Sequence, residues 1–102
     1  MQLIFGALSD ETRRAILEAL REGPQTSGQL ADRFDTSWPT ISRHLAALRH
    51  AGLVVSERRG QEIVYELNTT VFEDFVQHLI TWMPKPAARR RAARRQTAKE
   101  SA

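Results

Sequence analysis

The apolar positions along this chain follow a helical period, switch to a two-residue alternation, and then return. From Ser9 to about Glu22, the positions Thr12, Ala15, Ile16, Ala19 and Leu20 recur at intervals of three and four residues, which is the spacing of one helix face. Ser9 is placed to cap this helix and Gly23-Pro24 to stop it. A short helical segment, Leu3–Ala7, precedes it. A second short helix follows Thr26, with Leu30, Ala31 and Phe34 turned inward. Asp35-Thr36 makes a tight connection. Ser37 caps a third helix that runs to about His50, with Pro39 in its first turn, where a missing N–H costs little. Gly52 stands where a chain leaving a helix needs a left-handed residue.

The period then changes to two. Leu53 and Val55, and Ile63, Tyr65 and Leu67, alternate along the runs Leu53–Arg58 and Gln61–Leu67, with Arg59-Gly60 between them. Two such runs around a glycine predict a hairpin. Asn68-Thr69-Thr70 opens a last helix carrying Val71, Phe72, Phe75, Val76, Leu79, Ile80, Trp82 and Met83, and Pro84 and Pro86 end it. The predicted fold class is mainly α with a small β-hairpin. Three helices followed by a hairpin is the winged helix-turn-helix arrangement. Residues 1–83 are expected to form one DNA-binding and dimerisation domain, and residues 84–102 a basic tail that is disordered when unbound.

Charge sharpens that division. The tail holds Lys85, Arg89, Arg90, Arg91, Arg94, Arg95 and Lys99 against Glu100 alone, a net +6. The whole chain carries +3, so residues 1–83 carry −3. DNA binding by the folded part must therefore rest on locally placed arginines rather than on overall charge. The absence of cysteine excludes thiol switches, disulfides and thiolate metal sites. There is no apolar run of transmembrane length and no export signal at Met1-Gln2-Leu3-Ile4-Phe5, so a cytoplasmic protein is expected.

Three segments carry a resemblance. Ala7-Leu8-Ser9-Asp10-Glu11-Thr12-Arg13-Arg14-Ala15-Ile16-Leu17 resembles the opening motif of ArsR/SmtB-type regulators. Ser42-Arg43-His44-Leu45-Ala46-Ala47-Leu48 resembles their recognition helix. Ala51-Gly52-Leu53-Val54, Arg58-Arg59-Gly60-Gln61 and Tyr65-Glu66-Leu67-Asn68 resemble their wing. Leu67-Asn68-Thr69-Thr70-Val71 and Trp82 are similar to the SdpR-like autorepressor branch. The resemblance implies a transcriptional repressor that binds double-stranded DNA as a homodimer on a palindromic operator. It also implies an off-switch in the form of a sequestering protein partner. Metal-sensing relatives often carry Cys-x-Cys on the helix before the turn. Here that helix reads Ser27-Gly28-Gln29-Leu30-Ala31-Asp32-Arg33-Phe34, so thiolate sensing is not available.

Individual residues follow from these placements. On the third helix Ile41, Leu45 and Leu48 share the core face, while Pro39, Arg43, Ala46 and His50 fall opposite. The expected DNA contacts are Ser37, Pro39, Thr40, Ser42, Arg43 and His44 from this helix, with Arg58 and Arg59 at the hairpin tip. Arg43 suits a bidentate pair with guanine; Ser37, Thr40 and Ser42 suit phosphates; Arg58 and Arg59 suit the minor groove or its flanking phosphates. His44 also fits a hydrogen-bonded structural role, and Trp38 is expected to be partly buried. The last helix has more apolar surface than one packing stripe uses, and so does the chain start. A two-fold dimer through Leu3, Ile4, Phe5, Phe72, Phe75, Val76, Leu79 and Met83 would cover both. Asp74 and His78, at i and i+4 of the last helix, are weak metal candidates, because some relatives bind zinc or nickel there and the rest of that ligand set is missing. No cofactor is expected. No nucleophile–base set, phosphate loop or paired-carboxylate cleft stands out, which argues against an enzyme. The competing readings are a metal-responsive repressor and a winged-helix protein-interaction module that no longer reads DNA.

Overall fold

The computed structural model describes residues 1–101. Its elements in chain order are α1 (Gln2–Leu8), α2 (Glu11–Leu20), β1 (Gln25–Thr26), α3 (Ser27–Arg33), α4 (Trp38–His50), β2 (Val54–Arg59), β3 (Glu62–Leu67), α5 (Thr69–Thr81) and α6 (Pro86–Ser101). Among the described residues no helix is long and apolar enough to cross a membrane.

The core gathers one stripe from each of α2, α3 and α4. Ile16, Leu17, Ala19 and Leu20 of α2, Leu30 and Ala31 of α3, and Ile41, Leu45 and Leu48 of α4 meet Leu53, Val54 and Tyr65 beneath the sheet. Ala15, expected on the buried face of α2, is exposed and Leu17 takes its place. Asp10, not Ser9, caps α2: its carboxylate accepts the Arg13 N–H at 3.0 Å. Ser9 instead ends α1 and donates its hydroxyl to Gly6 O at 2.7 Å. The end of α1 is also tied to α2 by arginines of the opening motif. Arg13 donates to Ala7 O and Gly6 O at 2.8 and 2.9 Å, and Arg14 donates to Leu8 O at 2.6 Å. These bonds satisfy carbonyls that a helix C-terminus leaves without partners.

α4 ends as local rules require. Gly52 adopts φ 81°, its N–H reaches Arg49 O at 2.9 Å, and Leu53 N–H reaches Leu48 O at 3.0 Å. This is the Schellman pattern, and its characteristic apolar contact is available in Leu48 and Leu53, both fully buried.

The sheet has three strands in the order β1-β3-β2, all antiparallel. β1 pairs Gln25 with Tyr65 and Thr26 with Val64, and periodicity could not reveal a strand of two residues. In the hairpin Arg59 pairs with Glu62, so the turn is Gly60-Gln61, one residue later than expected. Gly60 has φ 62°, as a primed hairpin turn needs at its first central position. The inward face of the hairpin is also corrected on one strand. Val54 and Ser56 pair with Leu67 and Tyr65 and face the core side, while Val55 is exposed. Leu53 is buried, but it belongs to the turn after α4, so counting alternate positions from it selects the wrong face of β2.

Pro86–Ser101 is helical where the composition predicted no regular structure. Alanine and arginine are both strong helix formers, and Pro86 suits a first helical position.

Candidate nucleic-acid interface

α3 and α4 form the helix-turn-helix, and side-chain caps define both starts. Thr26 Oγ1 accepts from Gln29 N–H at 3.1 Å, while Gln29 Oε1 accepts from Thr26 N–H at 2.9 Å, closing a capping box. The turn tightens through Thr36 N–H to Phe34 O at 2.9 Å.

At the start of α4 three polar side chains join along one face. Ser37 Oγ caps the helix by accepting from Thr40 N–H at 3.4 Å and lies 2.9 Å from Thr40 Oγ1. Arg43 Nη2 donates to Thr40 Oγ1 at 3.4 Å. Their spacing of three residues places them in one row along the helix. Ser37, Pro39, Ser42 and Arg43 are exposed and Thr40 is half-buried. The side chains flanking Arg43 are short, so a duplex can approach the helix closely. His44 differs from the rest of the expected set. It is half-buried and points its Nδ1 at Asp10 Oδ2, 3.7 Å away, and so joins α4 to the start of α2. Asp10 is held below the usual carboxylate range, first by the Arg13 N–H it accepts and then by His44 and Arg13 nearby. Trp38 is more exposed than expected, at 54%, and its ring lies over Gly28 of α3, with 3.6 Å between Cη2 and the place a Cβ would occupy.

The wing puts Arg58 and Arg59 on opposite faces of β2 beside the turn. Arg58 Nε donates to Gly60 O at 3.3 Å. Arg59 pairs with Glu57 at 3.2 Å, and both side chains are about two-thirds exposed. A surface pair of this kind contributes ~1 kcal/mol or less and yields readily to a phosphate. Sequence reasoning passed over Arg49. From the last turn of α4 it donates to Ser56 Oγ on β2 at 3.3 Å, linking the helix to the wing. Arg33, also passed over, pairs with Glu22 at 2.9 Å and lowers that carboxyl's pKa through the hydrogen bond and its charge.

A second surface lies where the ends of the domain meet. The Phe5 ring meets Phe75 edge-on at 5.5 Å and stacks near-parallel on Trp82 at 6.0 Å. Around this junction Leu3, Phe5, Val76, Leu79, Ile80, Trp82 and Met83 are exposed. The expected dimer set divides here. Ile4 and Phe75 belong to the core of the single chain, and Phe72 is half-buried against it. Of the weak metal candidates, His78 stands edge-on to Trp82 with ring centres 5.0 Å apart. Among the described residues no three His, Cys, Asp or Glu side chains gather at one place.

Residues 8–57 match a family described as a helix-turn-helix domain. The transcriptional repressor SdpR of Bacillus subtilis is 42% identical over 85 residues, spanning 83% of this chain and 94% of that protein. The chain belongs to the ArsR/SmtB family of winged helix-turn-helix transcriptional regulators. Its relatives in this family include an arsenical resistance operon repressor of Staphylococcus aureus, 33% identical over 78% of this chain and 76% of that one. A solved ArsR-like transcriptional regulator from Rhodococcus sp. RHA1 superposes with a TM-score of 0.72 at 37% identity, covering 95% of this chain and 91% of that one. Proteins of this ArsR/SmtB family are regulators that bind double-stranded DNA, not enzymes.

Proposed function

We propose that two copies of this chain form a two-fold dimer through α1 and α5 and act in the cytoplasm as a repressor on a palindromic operator. Each copy lays α4 in the major groove of one half-site and rests its wing on the flanking backbone. The observation that carries this reading is the Ser37–Thr40–Arg43 row at the start of α4, with Arg58 and Arg59 at the wing tip. The hydroxyls and the positive end of the α4 dipole suit phosphate, and Arg43 suits the O6 and N7 edge of guanine. An interaction module that had lost DNA binding would have no need for arginines at both places. The relatives named as repressors favour blocking a promoter over activating it.

Selection of bound duplexes from a random library tests the proposal. Inverted half-sites separated by about one helical turn are expected. Arg43→Ala should then cost ~1–3 kcal/mol on the selected operator and relax preference at one base pair of each half-site. Equal weakening on operator and random DNA would reduce Arg43 to a phosphate contact, and no enrichment at all would overturn the reading.

A further inference from the structure

The structure carries a second strongly charged element. α6 has no acidic residue in its first turn, and in Pro86–Ser101 the single carboxylate is Glu100. At 3.6 residues per turn, Arg90, Arg91, Arg94 and Arg95 fall within an arc of about 140°. All four are exposed. Arg89 lies outside that arc and donates from Nε to Pro84 O at 2.8 Å, across the start of the helix. The opposite side carries Ala88, Ala92, Ala93 and Gln96, with Arg89 among them.

We propose that α6 is an additional DNA-docking element, whose arginine face binds the phosphate backbone without reading sequence and whose helix is stabilised by that contact. This takes its partner from the DNA-binding reading above, but it rests on different residues.

Two features argue for a polyanion. Arg90 with Arg94, and Arg91 with Arg95, are like charges one turn apart, which destabilise a helix standing by itself. Arg89 adds positive charge near the positive end of the helix dipole. Bound phosphates relieve both repulsions. An acidic protein would relieve them too, but protein interfaces anchor on large apolar or aromatic side chains, and no apolar residue larger than alanine follows Pro86. Residues 1–83 carry net −3, so a +6 segment on the same chain offsets their long-range repulsion from DNA. Arginines on a helix joined to the domain through Trp82–Lys85 track phosphates rather than fixed base edges, so their contribution is independent of sequence.

The test uses the full-length protein with Arg90, Arg91, Arg94 and Arg95 all replaced by Gln, which keeps helix propensity while removing charge. Binding to a random-sequence duplex and to the selected operator is titrated against salt, with Arg43→Ala in parallel. Each phosphate neutralised contributes about 0.9 to the slope of log affinity against log salt, so the slope should fall by about 3 to 4 per chain on both duplexes. The ratio of operator to random affinity should hold. Helical circular dichroism should rise when DNA is added to the wild type and not to the variant. An unchanged slope would overturn the proposal, and is what an acidic protein partner would give. A tenfold change in the ratio would also overturn it, because the tail would then read bases. If the slope holds while Arg43→Ala weakens operator binding and relaxes preference at one base pair of each half-site, the tail proposal falls and the operator reading stands. If the slope falls but the wild type shows no preferred sequence, the operator reading falls and the tail proposal stands.

Discussion

Ile80→Asp separates the assembly of this protein from its folding. Ile80 lies on α5 beside Val76 and is 50% exposed in the single chain, whereas Phe75, on the other side of the same helix, is 8% exposed. Burying a whole isoleucine side chain is favourable by ~1.5–3 kcal/mol, so the half left outside offers about 1 kcal/mol to a partner. A two-fold interface contains each residue twice, which makes about 2 kcal/mol per dimer. At 1.4 kcal/mol per decade, losing that burial weakens the dimer roughly 30-fold, and an unpaired carboxylate in an apolar contact weakens it further. Sedimentation equilibrium of wild type and variant measures the shift, and circular dichroism checks that the variant keeps its helices. The wild type should be dimeric at micromolar concentration, with a melting midpoint that rises with protein concentration. Phe75→Ala should behave differently, costing ~3–5 kcal/mol from the core of each protomer. A well-folded wild-type monomer, or an Ile80→Asp dimer as tight as the wild type, would refute the reasoning.

Gly52→Ala should destabilise the fold by ~1–2 kcal/mol, read as a lower denaturant midpoint. The cost lies in the left-handed φ of 81° rather than in crowding, because the nearest atom to the new Cβ, Val71 Cγ2, is at 3.8 Å. The carboxyls of Asp10 and Glu22 both titrate below their ordinary values, Asp10 chiefly through the Arg13 N–H and Glu22 through its bond to Arg33. Their contribution to stability is therefore present above the unfolded pKa values and is lost as pH falls through the lower folded ones. Asp10→Asn, which keeps a good cap, combined with Glu22→Gln should flatten the loss of stability below about pH 4, and an equally steep acid limb would count against these pairs. Zinc or nickel should change operator affinity by less than a factor of a few. A large metal-dependent loss that His78→Ala abolishes would instead favour a metal-responsive repressor.

What could be read from the sequence was what neighbouring residues decide among themselves. Thr26 with Gln29, Ser37 with Thr40, and Asn68 with Val71 start their helices through bonds spanning three residues. Gly52 and Gly60 turn the chain because only their own backbones tolerate those angles. The order of helices and hairpin, and most of the exposed polar face of α4, follow from such local rules. Tertiary structure decided whatever depends on residues far apart in the chain. β1 exists only because Gln25 and Thr26 meet Tyr65 and Val64, and two residues have no period to detect. The apolar surplus at Leu3–Phe5 and along α5 was legible, but its division was not. Ile4 and Phe75 go to the core while Leu3, Val76, Leu79 and Ile80 remain outside, because α1 packs back on the domain with its end held by Arg13 and Arg14. His44 turns to Asp10, and Arg49 to Ser56, because folding sets α4 against the start of α2 and against the wing. A helical period shows which side chains share a face, but only packing determines what each face meets.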